Sequence, residues 1–100
     1  MLVDRQLLSH TEISEFLKQN NLWKLKNSGI ERNLKFSKYM GGIEFINKLA
    51  IKAEELNHHP DLTVGWCNIH VRFSTHDLGG LSTFDLKMAE ETNSIFQSFK

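Results

Sequence analysis

One hundred residues suit a single domain over 1–100 with a modest core, to which self-association would add buried area. Twelve Lys+Arg balance twelve Asp+Glu, so no excess positive charge builds a long-range field for nucleic acid or a membrane surface. The single cysteine, Cys67, rules out an internal disulfide and fits a reducing compartment, and no apolar run reaches the ~18 residues of a membrane span.

The opening MLVDRQLLSHTEISEF has early acids and no apolar stretch of signal-peptide length. Neither a secretory signal nor a transit peptide is expected, and a cytoplasmic location is. Ser9-x-x-Glu12 has capping-box spacing. It predicts a short helix that turns Ile13, Phe16 and Leu17 to the core and ends at QNN, 19–21. LWKLK (22–26) and IERNLKF (30–36) flank the turn signal NSG at 27–29, which predicts a β-hairpin.

Gly41 and Gly42 precede the clearest helix, roughly 43 to 56. Ile43, Ile46, Leu49, Ala50, Ala53 and Leu56 recur at helical spacing. At about 100° per residue, Glu54 falls at the edge of the buried face and Glu55 in solvent. Ile51 falls on the far face, either as an isolated exposed side chain or as part of a subunit contact. Pro60 stops the helical pattern and pushes His59 toward an extended backbone. The pair His58-His59 therefore sits on a helix-to-strand connection.

Residues 62–75 read as two strands turning near Gly65 to Asn68. Ile69, Val71 and Phe73 alternate with His70, Arg72 and Ser74, so one face is buried. His76 stands at the strand's end and DLGGL is a loop. Ser82-x-x-Asp85 is a second capping-box pattern, opening a last helix with Leu86, Ala89, Ile95, Phe96 and Phe99. The order α-β-β-α-β-β-α predicts an α+β fold, an antiparallel sheet with helices packed on one face.

Glu54, His58, His59, His76 and Asp85 come from a helix end, a loop, a strand end and a helix start. Histidine changes charge near pH ~6.5, so three of them can both give and take protons. Glu54 and His58 are i,i+4 neighbours if the helix reaches that far. Three histidines could also hold an open zinc site. Adjacent histidines on an extended stretch diverge, however, and H-x-x-x-H or C-x-x-C spacing is missing. The histidines could equally be solvated loop residues, Asp85 a plain helix cap and Glu54 a salt-bridge partner. Trp23 and Trp66 read as core or edge aromatics, and His10 and His70 as structural. Cys67 reads as a small packed residue, and Gly79-Gly80 is too short for a phosphate cradle.

Taken together, AEELNHHPDL and STHDLGGLSTFDLKMAE resemble the pterin-4a-carbinolamine dehydratase family. The shared pattern is a glutamate before His-His-Pro, then Thr-His with a following acid, Gly-Leu-Ser, and an aspartate three residues on. The Ser-capped first helix and the tryptophan opening the first strand also fit. Trp66 and the surrounding TVGWC depart from it. The resemblance implies a four-stranded antiparallel sheet with three helices on one side, assembled as a homodimer or homotetramer. It implies dehydration of 4a-hydroxytetrahydropterin to quinonoid dihydropterin, which recycles the cofactor of aromatic amino-acid hydroxylases. The pterin is the substrate, and neither metal nor further cofactor is needed.

By the same resemblance, His58, His59 and His76 are the catalytic residues, with Glu54 and Asp85 supporting and Pro60 completing the motif. Trp23 is the pocket tryptophan, and Thr75 and Asp77 flank the pterin through backbone groups. In this reading His59, oriented by Glu54, meets the leaving hydroxyl. His58 and His76 share the acid and base roles, and Asp85 holds an imidazole or the pterin edge. Because some animal relatives stabilise a transcription-factor dimer, a non-catalytic protein-binding module is the alternative. Balanced charge argues against direct binding of nucleic acid, and no membrane role is expected.

Overall fold

The computed structural model describes residues 6–99, and its elements begin where local hydrogen bonding dictates. Ser9 N–H donates to Glu12 Oε1 at 2.8 Å and Glu12 N–H donates to Ser9 Oγ at 3.1 Å, opening α1 (His10–Gln19) with a complete capping box. The Ser9 amide, and then its hydroxyl, hold the Glu12 carboxyl below its ordinary pKa.

Strands β1 (Lys24–Lys26) and β2 (Gly29–Lys35) form the expected hairpin. The pair Lys26↔Gly29 closes it over Asn27 and Ser28, whose φ values of 48° and 66° are those of a two-residue turn with both residues left-handed. Leu22 and Trp23 precede the strand instead of joining it. Arg72 braces the turn. Its Nη1 donates to Lys26 O at 2.7 Å and Glu31 Oε2 at 2.9 Å, and its Nη2 to Asn27 O at 2.8 Å. Gly29 leaves room for that guanidinium, since a Cβ there would lie 2.5 Å from Arg72 Cζ.

The sheet is antiparallel in the order β1-β2-β4-β3, with β3 at Asp61–Val64 and β4 at Asn68–Phe73. Ile30, Leu34, Ile69, Val71 and Phe73 point to the buried face. Glu31, Asn33, His70 and Arg72 occupy the other, as the alternation predicts.

Helix α2 spans Tyr39–Leu56, one turn longer at its start than the sequence reading, so Gly41 and Gly42 lie inside it. Gly42 is where the helix lies close against β4: a Cβ there would come within 3.1 Å of Ile69 Cδ1. The buried stripe is Gly42, Phe45, Leu49 and Ala53, with Ile43, Ile46 and Leu56 partly buried. Ala50 and Glu54 are exposed, which corrects their placement on or beside the buried face, while Ile51 is exposed as expected. Phe45 packs with Phe36 and Phe96 at centroid separations of 5.4 and 6.2 Å.

Asn57 closes α2 in the left-handed conformation, φ 50°. Its amide donates to Ala53 O and Glu54 O, and the His58 amide reaches Ala53 O at 3.0 Å. A 3₁₀ turn (His76–Leu78) occupies part of the predicted loop after β4, and α3 (Thr83–Gln97) follows. Helix α3 buries Met88 and Thr92 beside the anticipated Ala89 and Phe96; Leu86, Ile95 and Phe99 are partly buried. Thr92 Oγ1 satisfies itself on Met88 O at 2.7 Å, which lets a polar residue face the core. Among the described residues no helix is long and apolar enough to cross a membrane.

Candidate functional site

The end of α2, the start of β3, the end of β4 and the start of α3 meet around His58, and each position follows from a local cause. The left-handed Asn57 turns the chain off the helix. The His58 side chain points inward, 6% exposed, while His59 points out, with its side chain 52% exposed. Pro60, half-buried, leads directly into β3.

Each of the two imidazoles has its own carboxylate. His58 Nε2 lies 2.6 Å from Asp85 Oδ1, a pair formed across 27 residues of sequence. His59 Nε2 lies 2.5 Å from Glu54 Oε2. Glu54 therefore serves His59, and the i,i+4 pairing with His58 is not made. The two pairs differ in setting: Asp85 is fully buried, whereas the Glu54 side chain is 77% exposed. Exposed ion pairs contribute little to stability, so the Glu54–His59 contact orients the ring more than it holds the fold.

Asp85 is secured on its other oxygen. Oδ2 accepts the Ser82 amide at 2.8 Å and the Thr75 hydroxyl at 2.7 Å. A buried carboxylate with donors on both oxygens is fully satisfied, as burial of charge demands. The ring of His58 is also packed: Phe73 lies 6.3 Å away at 17° and Phe84 5.8 Å away at 28°, both stacked.

Thr75 is buried with its hydroxyl turned to Asp85, and its N–H donates to Gly80 O at 2.9 Å. Its carbonyl accepts from Leu78 at 3.1 Å, closing the 3₁₀ turn that presents exposed Asp77. His76 begins that turn, and its side chain lies outside the described part of the structure. Trp23 is 2% exposed, with its indole N–H donated to Asn93 Oδ1 at 2.9 Å and its ring 6.0 Å from Phe73. It joins the site through Phe73, which touches both it and His58.

Ser82 and Phe84, which the sequence reading did not assign to the site, belong to it. Ser82 carried a signal only as a helix cap, and Phe84 carried none until the fold set it against His58. Trp66 is 81% exposed between β3 and β4, neither core nor packed edge. Cys67 is half-buried, His10 is exposed, and His70 bonds to Asn33 Oδ1 at 2.8 Å. Among the described side chains no three His, Cys, Asp or Glu stand close enough to hold a metal ion. His58 and His59 diverge, which by itself denies the pair a common ligand position.

A cavity of about 180 Å³ opens beside Thr75, between the β1–β2 turn and Gly79-Gly80, with Arg72 and Ser74 in its wall. One of about 220 Å³ lies near Trp23, Arg32 and Asn93, but no histidine or carboxylate lines it. No histidine or carboxylate lines the first either; it meets the buried pair only through Thr75, whose hydroxyl donates to Asp85.

The family model described as pterin 4 alpha carbinolamine dehydratase matches residues 6–95. A protein of Prochlorococcus marinus subsp. pastoris, provisionally named a pterin-4-alpha-carbinolamine dehydratase, is 35% identical over 91 residues, covering 91% of this chain and 95% of its own. A Mycobacterium tuberculosis protein with the same provisional name is 31% identical, covering 90% of this chain and 96% of its own. The crystal structure of a transcriptional coactivator/pterin dehydratase from Brucella melitensis superposes with a TM-score of 0.86 at 29% identity, covering 90% of this chain and 98% of that one. A pterin dehydratase-like RuBisCO assembly factor of the alpha-carboxysome, at 19% identity and a TM-score of 0.61, shares the fold over 74% of this chain and 86% of its own. By the match over residues 6–95, this chain belongs to the pterin-4a-carbinolamine dehydratase family.

Proposed function

We propose that the chain dehydrates 4a-hydroxytetrahydropterin to quinonoid dihydropterin by histidine general acid–base catalysis, with the pterin as substrate and no metal or further cofactor. The observation that carries this reading is that two adjacent histidines are each held by a separate carboxylate, one pair buried and one at the surface. A proton-transfer site needs imidazoles of fixed orientation and unlike environment, and this arrangement supplies two.

The reaction breaks the C4a–O bond and the N5–H bond and forms the C4a=N5 double bond. The hydroxyl leaves as water by taking a proton from an imidazolium, and a neutral imidazole accepts the N5 proton. His59, set by Glu54 and open to solvent, meets the leaving hydroxyl. His58 has Nε2 committed to Asp85, so Nδ1 is its nitrogen for transfer, and it shares the acid and base roles with His76. Asp85 acts through His58. Trp23 and Phe73 support the ring, Pro60 directs His59 outward, and Thr75 and Asp77 belong to the turn that presents His76.

Purified protein should accelerate dehydration of 4a-hydroxytetrahydropterin. His76→Ala should cut turnover by about 10²-fold or more, the scale of one acid–base contribution. Unchanged turnover in that variant removes the assigned mechanism. One zinc per chain in elemental analysis of protein purified without chelator would overturn the metal-free reading.

A second reading is favoured by the Brucella melitensis neighbour, whose description joins a transcriptional coactivator to a pterin dehydratase. Protein that lacks dehydratase activity yet recovers a stoichiometric protein partner would support that role here. A homodimer or homotetramer in the cytoplasm is part of the enzymatic reading. Exposed Ile51 and Met40 on α2, 62% and 60% accessible, are candidates for the contact. Ile51→Lys should then lower the particle mass in light scattering; an unchanged mass removes Ile51 from it.

A further inference from the structure

The two oxygens of Asp85 have unequal duties. Oδ1 meets His58 Nε2 at 2.6 Å. Oδ2 takes the Ser82 amide at 2.8 Å and the Thr75 hydroxyl at 2.7 Å, with Ser82 Oγ farther off at 3.5 Å. A carboxylate only accepts, so the single hydroxyl hydrogen of Thr75 goes to Asp85. The 2.7 Å contact between Thr75 Oγ1 and Ser82 Oγ must then have Ser82 as its donor. The two hydroxyls form a one-way chain, Ser82 to Thr75 to Asp85. Thr75 is 1% exposed and Ser82 and Asp85 are 0% exposed, so bulk water is not at hand to replace a missing donor. In a low-dielectric interior such a chain polarises each bond along it.

The consequence reaches His58. Phe73 and Phe84 set the plane of the imidazole, but an aromatic face does not distinguish one ring nitrogen from the other. Asp85 does. With its Oδ2 engaged by donors, the carboxylate is fixed in rotation and aims Oδ1 at the ring. Because Oδ1 also accepts, the nitrogen facing it must carry a hydrogen.

We propose that Thr75, backed by Ser82, is a positioning residue that locks His58 with its proton on Nε2, leaving Nδ1 as the nitrogen that exchanges protons with substrate. This rests on the reading of His58 as part of the proton-handling set. The Thr75 hydroxyl is turned to Asp85 and away from any substrate, so its effect passes through that carboxylate.

The test uses the full chain. Long-range ¹H–¹⁵N correlation spectra of His58 report its tautomer without any pterin present. Wild type should show the Nε2-protonated pattern. Thr75→Val keeps the bulk and removes a donor that fixes Asp85 in rotation, so Oδ1 is no longer held against Nε2 and His58 should shift toward a mixture of tautomers. In the dehydration assay the same variant should lose at least about tenfold in kcat, part of the ~10²–10⁴ that acid–base help supplies, while KM stays within about twofold. Thr75→Ser, which restores the hydroxyl, should recover both the spectrum and kcat. If Thr75→Val does not fold, Thr75→Cys offers a weak donor of similar size and should move both readouts the same way by less.

A wild-type His58 pattern in the donor-less variant overturns the lock. A shifted pattern with unchanged kcat overturns its part in turnover. If wild type shows no dehydratase activity but Thr75→Val still shifts the tautomer, the lock stands and the proposed reaction falls.

Discussion

Replacing Asn93 by aspartate is expected to stabilise the fold by about 1 kcal/mol at neutral pH. Arg32 projects from β2 toward α3, where its Nη1 donates to Asn93 Oδ1 at 2.5 Å and its Cζ lies 5.3 Å from the Phe96 ring centroid. Its Nε is buried without a partner, and no carboxylate pairs with it among the described residues. Burial lowers the pKa of this guanidinium, which means the fold bears a cost for keeping it charged.

An aspartate at 93 would take the Arg32 bond and the 2.9 Å bond from Trp23 Nε1 on a charged acceptor. The Trp23 bond passes from a neutral to a charged acceptor, a gain of about 1 kcal/mol, and the Arg32 bond, already made by a charged donor, becomes a partly buried ion pair worth about 1 kcal/mol more, so the two changes together gain about 2 kcal/mol. Against this stand desolvation of the new carboxylate and loss of the 3.2 Å bond from Asn93 Nδ2 to Asn20 Oδ1. Position 93 is half-buried and borders an open cavity, so together these cost about 1 kcal/mol and the gain prevails.

The net change corresponds to a Tm higher by about 4–8 °C for a domain of this size. A carboxylate paired with arginine has a lowered pKa in the fold. The gain is therefore full above the ordinary aspartate value of about 3.9 and fades as pH falls through the lowered one. Thermal and urea denaturation followed by circular dichroism at neutral and acid pH would measure it. An Asn93→Asp Tm at or below wild type at pH 7 refutes the reasoning. So does an equal gain in an Arg32→Met background, since the effect would then bypass the guanidinium.

Asp85→Asn should put an amide NH₂ against His58, because the opposite orientation would set it against the Ser82 N–H; the ring must then carry its proton on Nδ1. Turnover should fall by about 10²–10⁴, with a stability loss of about 1–3 kcal/mol, and an enzyme with normal kcat would show that His58 needs no carboxylate. Gly29→Ala should cost about 1–2 kcal/mol by displacing the Arg72 guanidinium from its three bonds, and much less in an Arg72→Ala background. Equal costs in the two backgrounds, read from a double-mutant cycle, would acquit Arg72. Glu12 has a lowered pKa in the fold, so its contribution is present above about pH 4.3, the ordinary glutamate value, and is lost as pH falls through the lowered one. Glu12→Gln should accordingly destabilise at pH 7 and flatten the acid limb of the stability curve; an unchanged limb would mean the cap does not titrate.

What could be read from the chain was local or periodic. Ser9–Glu12 and Ser82–Asp85 are three residues apart, so their caps were visible, as were the alternation of β4 and the turn at Asn27-Ser28. The start of α2 was missed because Gly41-Gly42 look like a break. Only the nearness of Ile69 shows why a helix needs a glycine there. With Gly42 counted as a break, the helical period in the sequence runs too far toward Ala50 and passes over Phe45, which the structure buries. The candidate residues were legible as a motif, but their pairing was not. Glu54 lies four residues from His58 and five from His59, and the helix end decided for the latter. The bond from His58 to Asp85 spans a strand pair and exists only once β4 brings α3 beside α2. The hydroxyl chain through Thr75 and Ser82 depends on that same closure.

The left-handed residue Asn57 bears on all of this as a matter of parity. Beyond it the chain is extended, and consecutive side chains take opposite sides. One imidazole goes to Asp85 and the next to Glu54 only because Asn57 ends the helix where it does. A single residue inserted between Asn57 and His58 would set the new side chain toward Asp85 and turn His58 outward to the place His59 now holds, leaving the buried carboxylate without its imidazole. Two chemically identical neighbours have thus been made unlike by counting, and the count is kept by one backbone angle.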